Sequence, residues 1–345
     1  MVRVRVVSGL RPGTAIQAGP PQSSTLEKLT RDFHLAMRRR CPLLTPQPLF
    51  TAMPKPSLAD ACLCSALTCD GAMGTQLIER GMQIGECGMR WNAEQPDAIK
   101  SVHQAYRDAG CRLITTNSFG GTRSMLERHG LGTKTADWNR LAAKLASEVV
   151  GPDGWVIGDV GPFGDFLEPL GDTTAVELEG IFREQISALV EGGADAILVE
   201  TMSDPGELCV GVRAARAVTD LPVIATYAFQ KSAGEFRTMM GTQVAEAITA
   251  AYAAGASIVG ANCGTDLSLA DYVELAREIV AAAGTRPTIM QPNAGAPRQV
   301  NGEISYDATP EEMADLAHTL RALGISIVGG CCGTSPAHLA AMAKA

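Results

Sequence analysis

Two adjacent cysteines, Cys331 and Cys332, close an apolar run in SIVGGCCGTSPAHL (326–339), and Cys263 closes another in SIVGANCG (257–264). Neighbouring cysteines rarely bridge each other, because the small ring strains the peptide between them. Two fates stay open for these thiols. They are small buried apolar groups, the commonest role of free cysteine, or soft ligands for one metal ion. Sulfur selects zinc, and three protein ligands leave a fourth position open, as in catalytic sites. A long-range Cys…CysCys spacing does not decide between the two. Gly329, Gly330 and Gly333 would supply the turns that let both neighbours reach one ion. Other reactive types stand at comparable places: Asp70, Asn117, Asp159, Glu200 and Asn293 each follow or end an apolar run.

Those places belong to a repeating pattern. Apolar runs at 65–74, 111–121, 155–162, 195–204, 221–229, 257–264, 287–295 and 326–333 each end in a polar or glycine-rich turn. Helical patterns lie between them, and those at 96–110, 178–193 and 310–324 end at glycine, the usual helix-stopping residue. Strands this apolar are buried on both faces, as in a parallel sheet. Eight βα units close a barrel, and no G-x-G-x-x-G follows the first strand as a doubly wound sheet would want. The expected fold is therefore a single-domain (β/α)8 TIM barrel, with its reactive residues at the C-terminal ends of the strands, where barrel enzymes carry their sites. Strands six and eight would bring Cys263 near Cys331 and Cys332.

The remaining composition narrows the class. The chain has 345 residues and a net charge of −8, which argues against non-specific nucleic-acid binding. No apolar run reaches the roughly 18 residues of a membrane span, and the N-terminus lacks the apolar core of a secretory signal. The expected compartment is the cytoplasm, and the ten cysteines read as reduced thiols. Residues 1–52 are basic and rich in Pro, Arg and Ser. They read as a disordered leader or non-native upstream extension, with Met53 as the native start and 53–345 as the barrel domain.

DGAMGT (70–75), TNSFGGTR (116–123), ETMSD (200–204), GANCG (260–264) and GGCCGTSPAHL (329–339) together resemble the homocysteine S-methyltransferase family. The resemblance runs in order from about residue 53 to 345. It implies a zinc-dependent barrel that forms methionine from homocysteine. By motif, Cys263, Cys331 and Cys332 would be the zinc ligands and the substrate thiolate would take the fourth position, with Asn293 near the metal. Asp70 and Glu200 match the acids that hold the substrate's ammonium group. The Gly71 and Ala72 loop would face its carboxylate, and Asn117 belongs to the same substrate site. The implied chemistry is coherent, since a free thiol is largely protonated at neutral pH and metal coordination favours the thiolate.

The methyl donor divides the family. A quaternary ammonium donor such as betaine wants aromatic walls. Trp91 matches a tryptophan of betaine-using relatives, and Phe119 could join it, but Gly120 and Thr201 stand where animal betaine enzymes carry tyrosines. The motifs most resemble bacterial betaine–homocysteine methyltransferases, while GPFGDFLEPLGD and PNAG also resemble the homocysteine module of cobalamin-dependent methionine synthase. Betaine is the expected donor. The alternative is methylcobalamin carried by a separate corrinoid protein. A reading of another class, a non-catalytic zinc-binding barrel, would want a closed four-ligand site and no amino-acid pocket.

Overall fold

The computed structural model describes residues 55–300 and 303–345. The expected leader over 1–52 lies outside the described residues. Eight parallel strands form the core: β1 Leu67–Thr68, β2 Leu113–Thr115, β3 Trp155–Val160, β4 Ala196–Met202, β5 Val223–Tyr227, β6 Ile258–Asn262, β7 Thr288–Gln291 and β8 Ile327–Val328. They pair in the order β1-β8-β7-β6-β5-β4-β3-β2. The sheet closes between its ends, where Arg112 N–H donates to the Thr68 carbonyl and Asp70 N–H to the Leu113 carbonyl, both at 3.0 Å. The expected TIM barrel is thus the fold.

A helix follows each strand: α1 Pro96–Asp108, α2 Thr135–Val150, α3 Ala175–Glu191, α4 Pro205–Val218, α5 Val244–Ala254, α6 Leu269–Ala283, α7 Pro310–Leu323 and α8 Pro336–Met342. Their ends are written locally. Thr174, Ser268 and Thr309 each form a capping box with Glu177, Asp271 and Glu312, which satisfies otherwise orphaned N–H groups. Gly110, Gly193 and Gly324, the three expected stops, all adopt left-handed backbone.

The strands alternate between two apolar environments. Val156, Ile197, Val199, Val223, Val259 and Met290 pack outward under the helices. Leu67, Leu113, Trp155, Ile157, Leu198, Ile224, Ile258, Ile289 and Ile327 fill the barrel interior, joined by Leu58, Ala61 and Cys62 of a short helix, Leu58–Cys64, that plugs its N-terminal end. One further step along the inward-facing positions brings Thr115, Asp159, Glu200, Thr226 and Gln291, and a second step, past Gly260 and Gly329, brings Asn262 and Cys331. The interior therefore changes from apolar to polar within about two residues of each strand. Two antiparallel hairpins extend the same polar end: Phe229–Ser232 with Glu235–Thr238, and Arg298–Val300 with Glu303–Ser305. Among the described residues no helix is long and apolar enough to cross a membrane. Eight described cysteines are free thiols, but Cys64 is disulfide-bonded, a departure from the expectation that all are reduced.

Candidate active site

Cys263 follows β6 with φ of 54°, in the left-handed region that non-glycine residues seldom adopt. Its placement is held from both sides. Its N–H donates to the Gln291 carbonyl at 3.1 Å, and its carbonyl accepts from the Tyr272 hydroxyl of α6. Cys331 N–H donates to the Pro292 carbonyl at 2.8 Å, and Cys332 N–H to Asn293 Oδ1 at 3.1 Å. The loops after β6, β7 and β8 are thereby stitched into one unit. As a result the Sγ atoms of Cys263, Cys331 and Cys332 all lie within 4.8 Å of one another.

The three glycines beside Cys331 and Cys332 contribute in two different ways. Only Gly333 is left-handed (φ 77°), and a Cβ there would sit 2.3 Å from the Tyr306 ring. Gly329 and Gly330 are needed for close approach, since a Cβ would meet Cys69 at 2.8 Å and Thr334 at 2.5 Å respectively. The crowded sulfurs share protons unequally. Hydrogen bonds from Cys331 and Cys332 pull the Cys263 thiol down to about 3, with Asn293 adding to them. The contact with Cys263 pushes Cys331 well up and Cys332 up to about 11.

The cluster forms part of the wall of a cavity of about 510 Å³, together with Asp70, Asp159, Glu200, Asn117 and Phe119. Burial pushes Asp70 up to about 7, opposed by hydrogen bonds from the Thr115 side chain and backbone at 2.7 Å each. Burial also raises Glu200 to about 7. Asp159 is driven well above the usual carboxylate range by burial and by the neighbouring Glu200 charge.

Glu200 owes its aim to an irregularity. The β4–β5 register shifts between Val199 and Met202, and Thr201 has φ of 60°, an outlier for a β-branched residue. Asn262 pins this bulge. Its Oδ1 accepts from Thr201 N–H (2.9 Å) and Thr226 Oγ1 (2.7 Å), while its Nδ2 donates to Glu200 Oε2 (3.0 Å). Strain of this kind, over-determined by its surroundings, gathers at functional sites.

The other expected site residues fall into place less uniformly. Gly71 and Ala72 line the cavity, but the Ala72 amide already donates to Thr334 Oγ1 at 3.1 Å. Asn117 lines it too, and its Nδ2 ties the preceding loop by donating to the Gly88 carbonyl and Asn92 Oδ1. Phe119 stands on the wall 43% exposed. Asn293 contacts Cys263 and Cys332 from behind. Trp91 is not among the lining residues; its indole donates to Glu86, which is. Sequence reading passed over Asn262, Tyr272 and Tyr306. Asn262 had a usable signal, a polar residue ending an apolar strand next to Cys263. Tyr272 and Tyr306 had none: Tyr272 holds the Cys263 carbonyl from the helix that follows, and Tyr306 lies against Gly333 from a separate loop.

The sequence profile of the homocysteine S-methyltransferase family matches residues 67–345. Methionine synthases of Mycobacterium tuberculosis and Mycobacterium leprae are 33% and 32% identical to the chain over 294 residues. That alignment takes in 80% of the chain and 24% of each relative, so the chain spans about a quarter of their length. In structure it is similar to the homocysteine methyltransferase MmuM of Escherichia coli in its metallated form. The TM-score is 0.67 at 22% identity, covering 81% of this chain and 96% of that one. The apo form of that enzyme gives 0.63. The chain belongs to the homocysteine S-methyltransferase family, and is by that membership a methyltransferase.

Proposed function

We propose that the protein methylates the sulfur of homocysteine to form methionine, with the barrel domain, residues 53–345, as the catalytic unit and zinc held by Cys263, Cys331 and Cys332. One observation carries this reading: three thiols from two strand ends converge within 4.8 Å on the wall of a cavity that also presents buried carboxylates. The donor set suits the ion, because three sulfurs in mutual contact are soft ligands that zinc and few other available metals prefer. Zinc bound there would favour the thiolate form of the substrate's sulfur.

The chain's own residues do the rest. Glu200, aimed inward by the bulge and Asn262, faces the substrate's ammonium end, with Asp70 shaping the same floor. The loop at 71–75 faces the carboxylate end. The cavity walls keep donor and sulfur together, so that catalysis rests largely on positioning.

Betaine is the donor that the sequence resemblance favours. A second reading, a methyl group delivered from methylcobalamin by a separate corrinoid protein, draws support from the cavity wall. Phe119 is the one aromatic among the lining residues described, a sparse wall for a quaternary ammonium. The similarity to methionine synthases points the same way. Zinc-loaded protein supplied with homocysteine and either betaine or methylcobalamin tests both. Methionine from betaine alone supports the first donor, and methionine only from methylcobalamin the second. Failure to hold stoichiometric zinc would overturn the three-cysteine site.

A further inference from the structure

A second pocket, of about 170 Å³, opens on the loops that leave β3 and β4 and on the hairpin after β5. It shares no lining residue with the larger cavity, although Pro162 and Ser203 on its wall stand only three residues beyond Asp159 and Glu200. Its walls are of two kinds. Asp165, Asp204 and Glu207 supply carboxylates, while Phe166, Met239 and Met240 form an apolar rim.

Two of the acids have local reasons for their places. Asp204 caps α4 through Oδ1, which accepts from Gly206 N–H at 2.7 Å, and Asp165 Oδ1 accepts from Phe166 N–H at 2.8 Å. Glu207 is different. It is only 7% exposed, and its Oε1 accepts from Phe163 N–H at 2.8 Å. Its Oε2 has no hydrogen-bond partner among the described residues, yet unlike Asp159 Oδ1 it is not sealed away from the pocket it lines. No lysine, arginine or histidine is among the described residues of this wall; Arg128, on a neighbouring loop, donates to the Gly164 carbonyl instead. A buried carboxylate with one oxygen turned to a pocket without a counter-charge is costly unless a cation completes it.

Size and lining narrow the cation. The pocket has about the volume of six water molecules, room for an ammonium on a chain of about four carbons. A hard metal ion would want about six oxygen ligands, whereas thioether and aromatic faces suit an alkyl stem and the charge at its end. We propose that this pocket is a second binding site, which takes the ammonium end of a short alkyl chain. Glu207 Oε2 is its acceptor, Asp165 and Asp204 add the surrounding negative charge, and Phe166, Met239 and Met240 cover the stem. The group arrives as a free alkylamine or as the lysine side chain of a partner protein. Neither source depends on homocysteine being the substrate of the larger cavity.

Nuclear magnetic resonance of the zinc-loaded full chain, labelled at its methionine methyls, tests the site with n-butylammonium, Nα-acetyl-lysine N-methylamide and uncharged butan-1-ol. Met239→Leu and Met240→Leu assign the two rim signals, which are expected to shift and saturate with the cation and far less with the alcohol. Glu207→Gln keeps the acceptor for Phe163 N–H and should weaken the cation about 10- to 100-fold. Phe166→Ala, at an exposed position, should weaken it about two- to fivefold and carries the test if the Glu207 variant does not fold. Saturation by the lysine derivative makes a partner's lysine the occupant, and saturation by butylammonium alone makes it a free amine. The assignment is overturned if the rim signals do not move or respond equally to butan-1-ol. It is overturned as well if the folded variants bind like wild type, or if Met73, Met82 and Met125 of the larger cavity shift in their place.

Discussion

The two ends of the barrel interior are built from the same inward-facing strand positions, yet they obey opposite rules. At the N-terminal end, Leu67, Trp155, Ile258, Ile289 and Ile327 interlock beneath the Leu58–Cys64 helix, and the Trp155 indole N–H is satisfied by the Pro56 carbonyl at 3.1 Å. At the other end, the next inward positions carry carboxylates, amides and thiols, two strained non-glycine residues and orphaned acceptors at Asp159 and Gln291. The first end stabilises and the second is held in place by that stability. Barrel folds tolerate a costly mouth because the cost is spread over a core that does not take part in the chemistry.

The largest test of this division removes a thiol. Cys331→Ala is expected to abolish stoichiometric metal binding and to lower methyl transfer by at least about 100-fold, while metal-free variant and metal-free wild type unfold at similar temperatures. Metal analysis and melting curves report the two halves separately. Collapse of the metal-free variant would show that mouth and core are not independent.

The reverse test hollows the apolar end. Ile289, fully buried, packs within the interior cluster. Ile289→Ala should cost about 2–5 kcal/mol in denaturant unfolding, with metal content per folded molecule unchanged. Loss of the metal site at a smaller stability cost would contradict the division.

A third test asks whether burying acids at the mouth end lowers stability beyond the cavity. Glu207, in the first turn of α4, is buried, accepts from Phe163 N–H at 2.8 Å and is pushed by burial from 4.5 up to about 7. Its folded-state value lies above the unfolded one, so its stabilising contribution is full below about pH 4.5 and lost as pH rises through about 7. Glu207→Gln keeps the acceptor and removes the titration. Its stability relative to wild type should climb by up to about 3 kcal/mol between these pH values and then level off. A pH-independent difference would refute the buried charge.

The smallest effect is expected at the outer edge of the apolar end. Lys55 bridges Asp195 at 2.8 Å with both side chains more than a quarter exposed. Lys55→Met should change stability by less than about 1 kcal/mol, and a larger loss would show that the plug depends on this ion pair.

Much of the barrel was legible from the chain alone, for reasons that can be named. All eight expected strands form, and the glycines at 110, 193 and 324 stop helices as their positions imply. The thiols at 263, 331 and 332 could be placed at strand ends, and barrel closure does unite them. Trp91 illustrates the opposite case. Its residue type fits a cation wall, but in the helical turn Trp91–Glu94 its indole hydrogen-bonds Glu86 at 3.3 Å and it is not among the residues that line the cavity. The 229–238 hairpin was missed because its strand reads as a continuation of the β5 run.

Periodicity, caps and breakers act within about ten residues, so the sequence by itself determined the eight βα units and put polar types at the strand ends. Closure alone decided which of those polar groups meet. It set Asn262 against the Glu200 bulge and Tyr306 against Gly333, and left the Asp159 oxygen unpaired while filling both oxygens of Asp70. Hydrogen-bond satisfaction depends on distances between groups far apart in the chain, and no local pattern encodes it.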